Sequence, residues 1–205
     1  MVRPWRKFHG DEQGVSLVEG LIVFPLILLA ISTFVEFGIA VLQWNQTVKA
    51  MQLGARLLAV SDPLVADMGP LTADYPPEQG GPTPAAAVSV SCGPGGAPCI
   101  ADRVNRLVFG SDGSCNPAVG TSLSGMCDFN PAIGVNNVFV TYHRSGLGYV
   151  GRPDGPVVTV TLEARNLTFN FMFLGALLGL NSIEIPAHPV TMTGEDLSSC
   201  RDECP

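Results

Sequence analysis

The sequence predicts an α+β protein with a long N-terminal helix, part transmembrane and part amphipathic, followed by a small antiparallel β-sheet domain with disulfide-stapled loops. Residues 15–42 are almost entirely apolar, two later segments have strand composition, and all six cysteines follow the apolar run. The length of 205 residues allows one domain and an anchor. We expect a cytoplasmic leader at 1–14, a transmembrane helix at 15–44, an amphipathic continuation at 45–62 and an outer β-rich domain at 63–205.

The apolar segment Gly20–Leu42 has the length of a transmembrane helix. As a helix it extends about 34 Å, enough to cross roughly 30 Å of hydrocarbon. Arg3, Arg6 and Lys7 precede it, so the positive-inside rule places the N-terminus in the cytoplasm. The alternative is a secretory signal peptide that is cleaved near Ser32. A removed signal would not need the apolar residues that continue from there to Leu42.

The helix is expected to continue beyond the membrane. Pro25 removes one backbone donor within the span, which predicts a local kink. Farther along, apolar side chains recur at helical spacing on one face, and Lys49, Gln52 and Arg56 fall on another. Asp62-Pro63 is expected to end the helix, which gives it a length of about 40 residues.

The N-terminal residues resemble those of pilin-like proteins. Gly14, followed by Val15-Ser16-Leu17-Val18-Glu19 and an apolar run, is similar to the site at which a prepilin peptidase cuts after glycine. Pro25, Glu36-Phe37-Gly38 and Gly54-Ala55-Arg56 narrow the resemblance to the TadE/TadG-like pseudopilins of tight-adherence (Flp, type IV-like) pilus systems. The resemblance is detailed over roughly residues 11–60.

This resemblance implies a minor structural subunit that is cleaved between Gly14 and Val15 and assembled through its helix. It also implies that Glu19 neutralises the N-terminal amine of an adjacent subunit. Implied partners are other pilin subunits, the prepilin peptidase and an inner-membrane assembly platform. The implied location is the bacterial inner membrane, with a periplasmic C-terminal domain and incorporation into a cell-surface pilus. An uncleaved single-pass anchor, whose outer domain binds a secretion or envelope partner, is the alternative.

Glu36 is a carboxylate inside the apolar run, where burial of a charge in hydrocarbon costs roughly 3 kcal/mol. Two explanations stay open: the side chain extends to the outer interface, or it makes a specific polar contact. Arg56 follows 20 residues later, about 30 Å along a continuous helix. A contact between Glu36 and Arg56 would therefore have to join axially staggered subunits.

The cysteines predict disulfides in an oxidising compartment, because their number is even and all lie on one side of the span. We expect the local pairs Cys92–Cys99, Cys115–Cys127 and Cys200–Cys204, although connectivity cannot be deduced from sequence alone. Structural zinc is the competing interpretation, and these spacings fit it poorly.

The outer domain shows three strand candidates. Val138–Tyr142 and Val157–Arg165 are rich in β-branched residues, and the turn-rich stretch between them predicts a hairpin. Ile183–Thr193 is interrupted by Pro186 and Pro189, which favours an edge strand.

The segments around these strands carry weaker signals. Residues 69–100 and 110–134 are rich in Pro and Gly and are predicted to be irregular, while Ile100–Phe109 has the spacing of a short helix. Phe169–Leu180 is apolar but too short to span a membrane. It is interpreted as a helix or turn packed over the sheet, or as an apolar surface for a partner.

Composition and motifs argue against an enzyme. The net charge of −7, without a basic block after residue 7, gives no support for nucleic-acid binding. His9, His143 and His188 are far apart and have no ligand-forming neighbours. No nucleophile elbow, phosphate loop or dinucleotide glycine pattern occurs. We therefore expect no catalytic residues, no cofactor and no metal.

Overall fold

The structure is a computed structural model that describes residues 12–116, 123–153, 155–171, 175, 179, 182–185 and 189–194. Its helices and strands are, in chain order, α1 (Glu12–Ala59), β1 (Ser89–Cys92), α2 (Ala101–Phe109), β2 (Val138–Arg144), β3 (Val158–Ala164), β4 (Thr168–Asn170), β5 (Ser182–Glu184) and β6 (Val190–Thr193). Short 3-10 turns occur at Gly69–Leu71, Met126–Asp128 and Val135–Asn137. The predicted α+β class is confirmed.

Helix α1 is continuous over 48 residues and passes through Pro25 without ending. Glu12, the first residue described, is already helical, so the last residues of the expected leader belong to α1. It ends at Ala59, earlier than expected, because Val60 donates its N–H to the carbonyl of Leu57 (3.3 Å), a tighter i to i−3 bond. Pro63 also disfavours helical geometry at Asp62, the residue before it. The sequence pattern therefore locates the end of α1 only to within a few residues.

The chain divides into two compact units. The first contains Met1–Val41 together with Phe169–Ile183, and the second contains Leu42–Thr168 together with Glu184–Pro205. The outer β-rich domain predicted at 63–205 stays a prediction.

The main sheet of the second unit has the strand order β1-β2-β3-β6, and each neighbouring pair is antiparallel. The predicted hairpin is confirmed as β2–β3, in register from Val138 opposite Ala164 to Arg144 opposite Val158. Alternate β3 residues, Val158, Val160 and Leu162, are buried, as a half-buried sheet requires. The candidate strand Ile183–Thr193 is divided between two sheets: Ile183 and Glu184 belong to β5, whereas Val190–Thr193 form β6 at the edge of the main sheet, as the interrupting prolines predicted.

The prediction of irregular structure over 69–100 is wrong for Ser89–Cys92, which forms the other edge strand, β1. Its register places Ser89 opposite His143 and Cys92 opposite Val140 on β2. Four residues between Pro/Gly-rich flanks carry little local strand signal. The strand forms because β2, about 50 residues later in the chain, offers a free edge.

The two local disulfides predicted within the described residues are present. Cys92 is bonded to Cys99 and Cys115 to Cys127, and one cysteine of each pair, Cys92 and Cys127, is fully buried. The pair Cys200–Cys204 lies outside the described residues. The short helix predicted at residues 100–109 is confirmed as α2, which buries Val104, Leu107 and Val108 on one face.

Strands β4 and β5 form a separate two-stranded sheet that the sequence analysis did not predict. Part of the apolar segment 169–180, expected to be a helix or turn, is therefore strand. The rings of Phe169 and Phe171 pack edge to face with centroids 5.0 Å apart. Residues 172–174, 176–178 and 180 of this segment lie outside the described residues.

Candidate membrane-spanning and assembly helix

The first part of α1 is apolar and exposed all round. Every residue from Val18 to Ile31 is exposed, with Leu21 at 71 % and Phe24 at 63 %. A helix that is apolar on all faces is normally buried in protein or in a membrane. Because none of the described residues covers this stretch, its surface is suited to lipid or to other helices.

Polar side chains farther along the span are satisfied within the helix. The hydroxyls of Ser32 and Thr33 donate to the carbonyl of Leu29 at 2.9 and 2.8 Å. Hydrogen bonds of this kind let serine and threonine reside in hydrocarbon without an unpaired donor. Among the described residues, α1 is the one helix long and apolar enough to cross a membrane.

Glu36 is buried although its neighbours are not. The residue is 1 % exposed, whereas Val35 and Phe37 are 50 % and 68 % exposed. Extension of the carboxylate into solvent does not agree with this burial, and the residue takes part in an interaction within the chain. A contact with Arg56 of a neighbouring subunit stays a prediction.

A polar periodicity that sequence reasoning missed includes Glu36. Thr33, Glu36, Gln43 and Thr47, with Ala40 between them, recur every three or four positions, the spacing of one helical face. This spacing was visible in the sequence and marks the face of α1 on which polar groups concentrate.

One member of this periodicity has a defined partner. Thr47 is 1 % exposed, and its hydroxyl accepts a hydrogen bond from the side-chain amide of Asn130 at 2.8 Å. The same hydroxyl donates to the carbonyl of Gln43 at 2.9 Å. Both hydrogen-bonding capacities of a buried hydroxyl are thus used, which avoids the cost of an unsatisfied polar group.

The other predicted site residues lie along α1. Gly14 and Val15 are within its first turns, and Glu19 and Arg56 have exposed side chains. The structure brings together the cysteines of two predicted pairs. The assembly roles of Glu19, Glu36 and Arg56 concern a second subunit and stay predictions.

At Gly54 and Ala55, α1 packs closely against β3 and the turn Met126–Asp128. A Cβ atom on Gly54 would lie 2.7 Å from Leu162 Cδ2 and 2.7 Å from Met126 Sδ, and Ala55 is fully buried. Real Cβ atoms essentially never come that close to another heavy atom. Gly54 and Ala55 therefore have a packing role in this chain, while Arg56 points outward.

Arg144, the last residue of β2, binds the segment that follows α1 through an ion pair, hydrogen bonds and a ring contact. Its side chain is fully buried and forms a two-pronged ion pair with the carboxylate of Asp74. It also donates to the carbonyls of Leu71 (2.8 Å) and Ala86 (2.7 Å), and its guanidinium lies over the ring of Tyr75. Planar guanidinium geometry is suited to such a multiple contact.

A second buried contact joins the same segment to β2 at a position closer in sequence to α1. The fully buried hydroxyl of Tyr142 accepts a hydrogen bond from the backbone N–H of Leu64 at 2.9 Å. Burial raises the pKa of Tyr142 to about 12, so the phenol stays protonated at neutral pH. Strand β2 thus holds the chain after α1 at two points, Tyr142 and Arg144.

Asp74→Asn is expected to destabilise the second unit at neutral pH and to flatten its pH dependence. The hydrogen bonds from Arg144 hold the pKa of Asp74 below its ordinary value of 3.8. A carboxylate with a lowered folded-state pKa adds stability above the unfolded value and loses it as pH falls through the folded value. The stability of the wild type should therefore decline as the pH falls below about 4. The variant lacks this carboxylate and should not show that part of the decline.

The measurement is denaturant unfolding of both proteins at a series of pH values. Glu78→Gln, on an exposed residue of the same segment, is the matched control and should follow the wild type. Equal stability of Asp74→Asn and wild type at pH 7 would contradict the proposed role of the ion pair.

Comparison of this chain with protein-family models, with curated proteins and with solved structures finds no match. Within the described residues there is no group of three or more His, Cys, Asp and Glu side chains arranged to hold a metal ion. The fold and α1 define a class: an α+β chain with one helix that has the length and composition to cross a membrane.

Proposed function

We propose that this chain is a pilin-like minor structural subunit of a tight-adherence or type IV-like pilus. In this proposal, α1 holds the subunit in the inner membrane and later packs it against other subunits, while the second unit forms the exposed surface. The observation that carries the proposal is the all-round apolar exposure of α1 from Val18 to Ile31, with the exposed carboxylate of Glu19 at its start. An anchor needs the apolar surface alone, whereas an assembly helix also needs a group that sets its register.

Cleavage after Gly14 would provide the partner for that carboxylate. The new amine of Val15 has an ordinary pKa near 7.7–8.0 and is largely positive at neutral pH. Val15 and Glu19 are four residues apart, one turn of helix. In low dielectric an unpaired carboxylate is costly, so pairing Glu19 with the amine of a neighbouring subunit would favour one axial register over others.

The disulfides support a periplasmic second unit. Cys92–Cys99 and Cys115–Cys127 both lie after the apolar helix, and disulfides persist in oxidising compartments. The basic residues Arg3, Arg6 and Lys7 on the other side favour a cytoplasmic N-terminus. The partners in this proposal are other pilins, a prepilin peptidase and the inner-membrane assembly platform.

The second candidate is an uncleaved single-pass anchor whose outer domain binds a secretion or envelope partner. It is favoured by the same exposed apolar helix and shares the same topology. The two candidates differ in the fate of residues 1–14, so the native N-terminus distinguishes them.

Gly14→Phe is expected to leave a full-length, membrane-retained precursor, because a peptidase site that accepts glycine has no room for a bulky side chain. Intact mass spectrometry of the membrane fraction should find the wild-type chain beginning at Val15 and the variant beginning at Met1. Gly10→Phe, a glycine substitution elsewhere in the leader, is the control and should be processed normally. A wild-type chain that begins at Met1 would replace the pilin proposal with the anchor.

A further inference from the structure

Two loops of the second unit line an open cavity of about 270 Å³. One loop follows the 3-10 turn Gly69–Leu71, and the other belongs to the connection between β2 and β3. The side chains around the cavity include Tyr75, Gln79, Tyr149 and Arg152. Pockets for drug-sized ligands measure about 300–1,000 Å³. A slightly smaller cavity suits a ligand of one or two small rings.

Backbone contacts between the two loops fix the shape of the cavity. The N–H of Gly80 donates to the carbonyl of Val150 at 2.8 Å, and the N–H of Val150 donates to the carbonyl of Gly81 at 2.9 Å. Gly151 has a φ of 83°, and a Cβ atom there would overlap the side-chain amide of Gln79. Glycine at position 151 therefore leaves room for that amide. A site whose walls are already fixed loses little conformational entropy when a ligand binds.

The polar groups of the cavity can donate hydrogen bonds to a ligand. The hydroxyl of Tyr75 is buried and has no hydrogen-bond partner among the described residues. An unsatisfied polar group at a cavity indicates a position where a ligand oxygen can bind. Arg152 forms no ion pair with any residue that the structure describes. Because a guanidinium binds a carboxylate through two parallel hydrogen bonds, the donors favour a ligand that is rich in oxygen and negatively charged.

Tyr149 supplies an apolar surface beside these donors. It lines the cavity and is 47 % exposed. The face of an aromatic ring is electron-rich and attracts groups with partial positive charge, such as the C–H groups of a sugar ring. An aromatic acid would favour a more enclosed and more apolar pocket. An open cavity with an aromatic ring, an amide, a hydroxyl and a guanidinium is suited to an acidic sugar.

We propose that this cavity binds an acidic sugar of the uronic-acid class, with the sugar ring against Tyr149 and its carboxylate against Arg152. The hydroxyl of Tyr75 and the amide of Gln79 hydrogen-bond to the hydroxyls of the sugar. The site belongs to the second unit alone. It depends neither on cleavage after Gly14 nor on assembly, and it applies to both candidate functions.

The test is saturation-transfer NMR of the full chain in detergent micelles at pH 7, with glucuronic acid as the probe and glucose as its uncharged counterpart. We expect glucuronate to bind with a Kd of about 1 mM, the range for a ligand of about a dozen heavy atoms in an open site. Glucose should bind about ten-fold more weakly, because it lacks the charge-assisted contact with Arg152.

Two variants separate the charge from the ring. Arg152→Gln should lower the affinity for glucuronate about ten-fold, to the level of glucose, and Tyr149→Ala should abolish the binding of both sugars. Arg106→Gln removes an exposed arginine outside the cavity and should bind as the wild type does. Since Arg152 has no ion-pair partner among the described residues, its replacement should preserve the fold, which circular dichroism checks.

Three results would overturn the proposal. Equal affinity for glucose and glucuronate, or unchanged affinity in Arg152→Gln, would refute recognition of the carboxylate. Displacement of glucuronate by an equal concentration of acetate would show a general anion site without recognition of the sugar. Absence of saturation transfer at about 10 mM glucuronate would show that the cavity binds no such sugar. None of these results concerns the native N-terminus, which tests the pilin proposal separately.

Discussion

Glu19→Gln is expected to insert into the membrane and to be processed at Gly14 as the wild type is, but to lose co-assembly with other pilins. The substitution keeps the size and hydrogen-bonding ability of the side chain and removes its charge. A neighbouring N-terminal amine would then be left without a counter-ion in low dielectric. Breaking one half of such a pair is strongly unfavourable, so incorporation should fall on the order of ten-fold or more.

The measurement is the fraction of the chain recovered in sheared pili relative to the membrane fraction, by quantitative immunoblot. Glu12→Gln is the matched control: it removes a carboxylate from the same helix, but from the part that processing discards. It should assemble normally. The competing role for Glu19 is a first-turn acid that interacts favourably with the dipole of its own helix. Incorporation of Glu19→Gln at the wild-type level would establish that role and refute the register function.

Gly54→Leu is expected to cause a large loss of folding stability. A Cβ atom at this position already lies 2.7 Å from Leu162 and Met126 side-chain atoms, and a leucine adds three more carbons. Overpacking of a buried contact costs about 1–3 kcal/mol and sometimes more. The better helix propensity of leucine returns less than about 1 kcal/mol. The helix must therefore move away from the sheet or Met126 must leave its buried site.

Denaturant unfolding of the full chain in detergent, followed by circular dichroism, measures this loss. Gly38→Leu is the matched control, because no atom lies within 4 Å of a Cβ built at Gly38. A double-mutant cycle of Gly54→Ala with Met126→Ala adds a second check, since the two changes should couple favourably if they share one space. A Gly54→Leu variant as stable as Gly38→Leu would show that the close approach does not restrict the helix.

Much of the fold follows from local sequence. The apolar run and its amphipathic continuation predict α1, and alternation and turn residues predict the β2–β3 hairpin. The pairs Cys92–Cys99 and Cys115–Cys127 are close in the chain, so proximity alone favours them. In each case the residues that determine the element lie within a few turns or one hairpin of one another.

Features that join distant parts of the chain could not be predicted in this way. Strand β1 depends on an edge of β2, and the ion pair of Asp74 with Arg144 joins positions 70 residues apart. The hydrogen bond from Asn130 to Thr47 spans 83 residues. Nothing near any of these residues in sequence marks its partner, because each contact arises after the sheet and helix have packed.

The sequence by itself determined that α1 has a membrane-length apolar surface, that two carboxylates interrupt it and that disulfides staple the loops. The tertiary structure alone decided that the two carboxylates differ: Glu19 is exposed, whereas Glu36 is buried in a unit that includes Phe169–Ile183. Hydropathy and periodicity depend on neighbours along the chain, so sequence reports them directly. Burial depends on which distant segment packs against a side chain, and that is settled when the whole chain folds.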